Sequence, residues 1–238
     1  MKLRNKNLKI LKSNHVYSEE MEHDACGVGL VASTEGIKSR KVVEYGIDAL
    51  KAVWHRGAID ADGKTGDGAG IHIEIPKDFF EEKIEVTGHK HDNSELCVGM
   101  IFLPRNDYSA QEQCRTIVES ELTKRNFSIY GWRQVPVDPS VLGEKAEQTR
   151  PEITQVLFTY NDKKVVNKSL EQKLYETRRV IEKEALNNQL NNFYICSFSS
   201  KSIIYKGMFL AEALSDFYTD LKDERFISRY AIFHQRFS

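Results

Sequence analysis

At 238 residues with a formal net charge of -1, the chain is long enough to bury a sizeable core and lacks the basic excess that nucleic acid would call for. No apolar stretch approaches the ~20 residues needed to span a bilayer. The basic start (Lys2, Arg4, Lys6, Lys9 and Lys12) is not followed by the apolar core and cleavage site of a secretory signal.

Residues 1–25 are polar, without sustained periodicity, and read as a tail. Cys26-Gly27-Val28-Gly29-Leu30-Val31 then reads as a short buried strand whose glycines allow close backbone approach. A thiol at its head is a candidate nucleophile, set against the plainer reading of a buried structural cysteine. Ser33 to Ser39 is a turn. Val43, Ile47, Leu50 and Trp54 recur at helical spacing and predict one apolar helix face, closed by Gly57 as a left-handed C-cap. Ala69 to Ile75 alternates as a strand and stops at Pro76.

Residues 81–95, rich in charge and carrying His89 and His91, predict an exposed loop. Leu96 to Leu103 is a continuous apolar strand. Residues 109–125 predict a helix with Cys114, Ile117 or Val118, and Leu122 facing inward. Phe127 to Arg133 and Thr154 to Tyr160 are strands separated by a loop holding Pro136, Pro139 and Pro151. A charged helix from Ser169 turns Leu170, Leu174 and Ile181 inward and leaves Arg178-Arg179 on a solvated face. Phe193 to Phe198 and Ser202 to Lys206 predict a hairpin. Leu210, Leu214, Phe217 and Leu221 mark an amphipathic helix, and Tyr230 to His234 begins a last strand. Without strict βαβ alternation, this order fits two antiparallel sheets with helical layers better than a doubly wound parallel sheet.

The four cysteines, Cys26, Cys97, Cys114 and Cys196, include no C-x-x-C pair. That argues against structural zinc and for reduced thiols in a cytoplasmic protein. Cys97 and Cys196 lie in apolar runs and belong to the core. The glycine-rich loop Asp62 to Gly70 invites a nucleotide reading, which spacing refuses. A P-loop ending at Gly63-Lys64-Thr65 needs glycine where Ala58 stands, and the dinucleotide fingerprint needs its third glycine at Ile71. An EF-hand from Asp60 would need glycine at Thr65 and glutamate at Ile71. A tight polar turn passing close to the nucleophile remains.

Taken together, and in this order, His23 to Val31, Trp54-His55-Arg56-Gly57-Ala58, Asp62 to Gly70, Tyr194-Ile195-Cys196-Ser197, Tyr205-Lys206-Gly207-Met208 and Phe233 to Ser238 resemble the N-terminal part of glutamate synthase large subunits. That part is a class II glutamine amidotransferase domain of the N-terminal nucleophile hydrolase kind. The resemblance implies an α+β, four-layer αββα sandwich, with residues 1–25 as a propeptide-like segment and 26–238 as the amidotransferase domain. Removing the first segment would leave Cys26 as the first residue, its free α-amine (pKa near 8) serving as base for its own thiol.

By the same resemblance Cys26 is catalytic and Arg236 binds the substrate carboxylate, for which a planar guanidinium fork is suited. Arg56 and Gly27 support the nucleophile, Arg56 having the plainer alternative of a helix C-terminal arginine bonding carbonyls. His55 and His234 read as packed, hydrogen-bonded histidines, and no metal is expected. The implied partners are L-glutamine, downstream synthase domains of the same chain and a small reductase subunit, with neither nucleic acid nor membrane. No cofactor is expected in this segment; FMN and an iron–sulfur cluster are implied for the complete enzyme.

Two departures stand out. Ile59-Asp60 follows His-Arg-Gly-Ala where the family favours small residues. No Asn-Gly dipeptide, the family's oxyanion pair, occurs before Ser238, so the expectation is a C-terminally incomplete domain, inactive alone. The alternatives are a non-catalytic amidotransferase-like interaction module and a class II amidotransferase serving another acceptor. The length between Phe80 and Leu96 and the Tyr205 to Met208 stretch favour glutamate synthase.

Overall fold

The computed structural model describes residues 27–91, 94–162 and 167–236, together with Lys6 and Ile10. The readings placed on Cys26 and on the 1–25 segment as a whole lie outside the described residues.

The strands are β1 (Val28–Ala32), β2 (Ala69–Glu74), β3 (Leu96–Leu103), β4 (Phe127–Gln134), β5 (Glu152–Tyr160), β6 (Tyr194–Ser199), β7 (Ser202–Gly207) and β8 (Tyr230–Gln235). They form two four-stranded sheets, ordered β1-β8-β2-β7 and β4-β5-β3-β6, and every pairing is antiparallel. Helix α1 (Arg40–Ala52) lies on the first sheet, over β8, β1 and β2. Helices α3 (Tyr108–Lys124) and α5 (Asn167–Asn187) pack together on the second, against β3, β4 and β6. Two antiparallel sheets with helical layers, α+β in class, is the architecture expected from the sequence.

Two apolar clusters hold these layers. One runs from Val43, Ile47 and Leu50 of α1 through Ile71, Ile73 and Tyr205 of the first sheet to Val98 and Met100 of the second. The other joins Cys114, Val118 and Leu122 of α3 and Leu174 and Ile181 of α5 to Cys97, Ile101 and Phe158 of the second sheet. The long strand β3 serves both, because alternate residues of a strand face opposite sides. That explains its unbroken apolar lettering.

Several expectations need correcting. Strand β1 is not buried: it lies at the edge of its sheet, with Val28 and Leu30 exposed. Residues 81–95 are not all loop: α2 (Lys77–Val86) runs into them and buries Phe79, Phe80 and Ile84. Its apolar residues are few among charges, so composition concealed the period. Trp54 is not on the buried helix face. Helix α1 ends at Ala52, and Trp54–Arg56 is a separate 3-10 turn with Trp54 exposed. Gly57 is extended, with φ -87° and ψ 152°, so it is no left-handed cap.

The expected hairpin is a crossing instead, since β6 pairs with β3 and β7 with β2 in the other sheet. The predicted helix over Leu210 to Leu221 is broken into a 3-10 turn (Ala211–Ala213), α6 (Leu214–Phe217) and a second 3-10 turn (Thr219–Lys222). Phe217 and Tyr218 are both buried. The break falls at Tyr218, whose backbone is extended. Arg178 is not merely solvated: its Nη2 donates to the Ile195 carbonyl at 2.8 Å and ties α5 to β6. The proline-containing loop holds α4 (Glu144–Thr149).

A buried polar network links the two sheets. Arg133 of β4 donates through Nη1 to Asp220 Oδ2 (2.8 Å) and through Nη2 to Asp220 Oδ1 (2.6 Å). The same Nη1 donates to Gln155 Oε1 of β5 at 2.7 Å. Gln155 Nε2 donates to the Tyr205 hydroxyl of β7 (3.1 Å), which donates to Asp220 Oδ2 (3.2 Å). Asp220→Ala would leave the Arg133 cation without its buried partner. The expected loss is about 3–5 kcal/mol, read as a lowered urea midpoint with an unchanged slope.

Candidate active site

Strand β8 is the spine of the site. It lies between β1 and β2, with His234 opposite Val28 on one side and Gly70 on the other. Beyond the ladder, Gln235 N–H donates to the Gly27 carbonyl at 2.8 Å, and Arg236 N–H donates to the Gly68 carbonyl at 2.6 Å. The residue after Cys26 is therefore bonded to the residue before Arg236.

Arg236 has φ +90°, a left-handed backbone that an arginine adopts only under constraint. Its guanidinium is exposed, with Nε 3.4 Å from Asp67 Oδ2. The other oxygen of Asp67 accepts from Ala58 N–H at 3.0 Å, and Asp67 N–H donates to the Ala58 carbonyl at 3.3 Å. Asp67 thus joins Arg236 to the loop that follows Arg56.

That loop is organised by its own side chains. Asp62 Oδ1 accepts from the N–H groups of Lys64 (3.0 Å) and Thr65 (2.7 Å). The Thr65 hydroxyl, donating to Asp62 Oδ2, and then these backbone bonds hold the Asp62 carboxyl well below the usual carboxylate range. The departure at Ile59-Asp60 is accommodated. Ile59 bridges to Gly66, and Asp60 Oδ2 accepts from Lys145 Nζ at 2.6 Å.

Glycine is required at two positions for closeness rather than for φ. A Cβ on Gly57 would fall 2.0 Å from Gln235 Nε2, and one on Gly27 2.2 Å from the Gln235 carbonyl oxygen. At Gly27 backbone bars a side chain; at Gly57 a side chain would have to displace the Gln235 carboxamide. The turn bearing Arg56 is therefore pressed against Gln235, and so is the strand entrance at Gly27.

Of the residues singled out in the sequence, Gly27, Arg236 and the turn of Arg56 are brought to one end of β8, while Cys26 lies outside the described residues. The Arg56 side chain is exposed and makes no hydrogen bond or ion pair among the described residues. His55 is exposed too, which corrects the reading of it as packed. Two residues before Gly57, it stands on the 54–56 3-10 turn rather than on the α1 helix face. His234 is half-buried, and burial, assisted by Lys206, lowers its pKa. Sequence reasoning missed Asp67 and Gln235; the signal available was their placement, Asp67 between Gly66 and Gly68, Gln235 inside His234-Gln235-Arg236.

An apolar cavity of about 380 Å³ opens beside this cluster. Asp67 stands on its wall with Phe102, Tyr194, Met208, Phe209 and Tyr218. Lys206 Nζ lies 2.6 Å from the Tyr194 hydroxyl within the same lining.

The family model of class-II glutamine amidotransferases matches residues 26–238. The chain belongs to that family. Among curated relatives, this amidotransferase is 56% identical over 232 residues to the glutamate synthase [NADPH] large chain of Azospirillum brasilense. It is 38% identical over 218 residues to ferredoxin-dependent glutamate synthase 2 of Synechocystis. Against the glutamate synthase [NADPH] large chain of Bacillus subtilis it is 35% identical over 230 residues. These alignments cover 98%, 91% and 95% of the chain and 15%, 14% and 15% of the relatives. The amidotransferase thus spans about 15% of the length of the curated relatives it matches.

The other thiols are poor nucleophiles for a stated reason. Burial pushes Cys114 up to about 11, Cys196 up to about 12, and Cys97 far above the ordinary thiol value. The thiolate is the reactive form. In the native amidotransferase at pH 8, Cys97, Cys114 and Cys196 should stay unlabelled by a thiol-disulfide reagent while denatured chains label at all three, as peptide mass analysis will read.

Proposed function

We propose that residues 26–238 are the glutaminase portion of a glutamate synthase, hydrolysing L-glutamine through Cys26. The supporting observation is the bond of Gln235 N–H to the Gly27 carbonyl, which fastens the neighbour of the nucleophile to the neighbour of the carboxylate-binding arginine. The 56% identity to a glutamate synthase large chain supports the choice of synthase among amidotransferases.

In this reading, residues 1–25 are a propeptide, and their removal frees the α-amine of Cys26. The amine takes the thiol proton as the sulfur attacks the side-chain carbonyl carbon of glutamine. The tetrahedral intermediate expels ammonia, which leaves with that proton, and a thioester remains. Water, deprotonated by the same amine, then releases glutamate and restores the thiol. Arg236 holds the α-carboxylate of glutamine by two-point hydrogen bonding, and Asp67 limits the positions its guanidinium can take. Arg56, carried on the turn pressed against Gln235, adds positive charge near the nucleophile.

Ammonia passes to downstream domains of the same chain, which aminate and reduce 2-oxoglutarate with FMN and an iron–sulfur cluster, a reductase subunit being a further partner. The described residues hold no group of three or more His, Cys, Asp or Glu arranged for a metal ion, so they do not fit the cluster and no step here runs through it. None of the described helices is long and apolar enough to cross a membrane; with free thiols at Cys97, Cys114 and Cys196, a cytoplasmic location completes the proposal.

In the full-length processed enzyme, Cys26→Ala should abolish glutamine hydrolysis and leave ammonia-dependent glutamate synthesis measurable. Glutamine-driven turnover at the parent rate would overturn the assignment. Arg236→Leu should lower kcat/KM for glutamine about 10- to 150-fold, the worth of a hydrogen bond to a charged group, mainly through KM. Steady-state kinetics on glutamine and ammonia reads both.

A further inference from the structure

The glycine-rich loop, which spacing excludes as a nucleotide site, has a task that its geometry reveals. Asp67 stands between two glycines, each needed for its own reason. A Cβ on Gly66 would fall 2.7 Å from the Phe209 backbone and 2.9 Å from the amide nitrogen of Leu210, so the loop lies directly on that segment. Gly68 has φ +122°, a conformation open to glycine. Asp67 N–H donates to the Ala58 carbonyl, and the next carbonyl, that of Gly68, accepts from Arg236 N–H. An aspartate is thus mounted on a fixed stretch of backbone that also anchors the residue it faces.

Arg236 meets that mount twice, by backbone at Gly68 (2.6 Å) and by side chain at Asp67, where Nε lies 3.4 Å from Oδ2. A guanidinium offers a carboxylate two paired edges, Nε with one Nη or the two Nη together. The contact with Asp67 is through Nε. Oδ1 of Asp67 accepts from Ala58 N–H at 3.0 Å, so the carboxylate cannot swing to the far end of the fork without giving up that bond. We propose that Asp67 is the positioning residue for Arg236 in this amidotransferase: its carboxylate occupies the Nε edge of the guanidinium and leaves the two Nη nitrogens to receive the α-carboxylate of glutamine. The inference rests on the glutaminase reading above and deepens it.

Two effects of that carboxylate oppose each other. The Arg236 side chain is 65% exposed, and an unrestrained arginine loses rotamer freedom each time it seats a ligand. A partner that holds it beforehand removes part of that loss and aims the fork. The same partner also competes with the ligand for the guanidinium's charge. Positioning lowers KM for glutamine and competition raises it, so the sign of the change on removing the charge separates them. An exposed pair of this kind adds little to stability, so its loss is felt in seating the ligand before it is felt in folding.

The test uses the full-length processed enzyme with Asp67→Asn, Arg236→Leu, the double variant and Cys26→Ala. Asp67→Asn keeps the shape and the acceptor for Ala58 N–H and removes the charge held against Arg236. KM for glutamine should rise about 2- to 5-fold, the worth of an exposed ion pair, with kcat little changed. Ammonia-dependent synthesis, which bypasses this site, and the urea midpoint should stay at parent values. In the Arg236→Leu background the same change should have no further effect on KM, because it acts through Arg236. A lowered KM in Asp67→Asn would make Asp67 a competitor and overturn the inference. So would a parent-like KM, a full additional effect in the double variant, or a matched fall in ammonia-dependent activity and urea midpoint; each leaves the glutaminase reading in place. Parent KM in Arg236→Leu, or glutamine hydrolysis surviving in Cys26→Ala, would remove that reading and the inference with it.

Discussion

The bidentate pair of Arg133 and Asp220 is the constraint on which the two-sheet arrangement depends. Asp220 receives both guanidinium nitrogens and the Tyr205 hydroxyl, and Gln155 bridges Arg133 to Tyr205. Such a pair adds little net stability over a well-packed apolar substitute, but it leaves no tolerance for a shifted partner. Strands β4 and β5 of one sheet, β7 of the other and the 219–222 turn therefore have one relative position. Strand β7 is bonded to β2, and β2 to β8, so the network's geometry passes by backbone hydrogen bonds to the end of β8 where Arg236 begins.

At that end the tolerances are steric. Gly27 and Gly57 each stand against a different part of Gln235, Gly27 against its backbone oxygen and Gly57 against its carboxamide. Asp67 then closes the cluster by holding Ala58 with one oxygen and facing Arg236 with the other. In the polar loop between them Asp62 accepts from the Lys64 and Thr65 N–H groups and Asp60 accepts from Lys145 of α4. The entrance of β1 at Gly27 is thereby tied to the Gln235 backbone, and the Ala58 loop to Arg236 through Asp67.

Much of this was legible in the lettering, and the failures have common causes. Strands β3 and β5 and helix α3 could be read because each carries one strong period over a length typical of its kind. Helix α2 could not, since two adjacent phenylalanines and one isoleucine among charges resemble a loop with stray apolar residues. The break at Tyr218 and the separation of β6 from β7 into different sheets are decided by which surfaces pack, and no local period reports that. In the site, Cys26 and Arg236 were conspicuous through the family's pattern. Asp67 and Gln235 were not, because their importance is a matter of what lies across a strand pair or a turn, at separations of tens of residues.

The backbone of Arg236, at φ +90°, carries a consequence for how this protein would drift under selection. A non-glycine residue in such a conformation costs on the order of 1–3 kcal/mol, and glycine would relieve it. Thermal robustness alone thus favours losing the arginine, whereas the carboxylate-binding role proposed for it favours keeping it. A lineage freed from handling its substrate would be expected to surrender residue 236 early and grow sturdier as it did so.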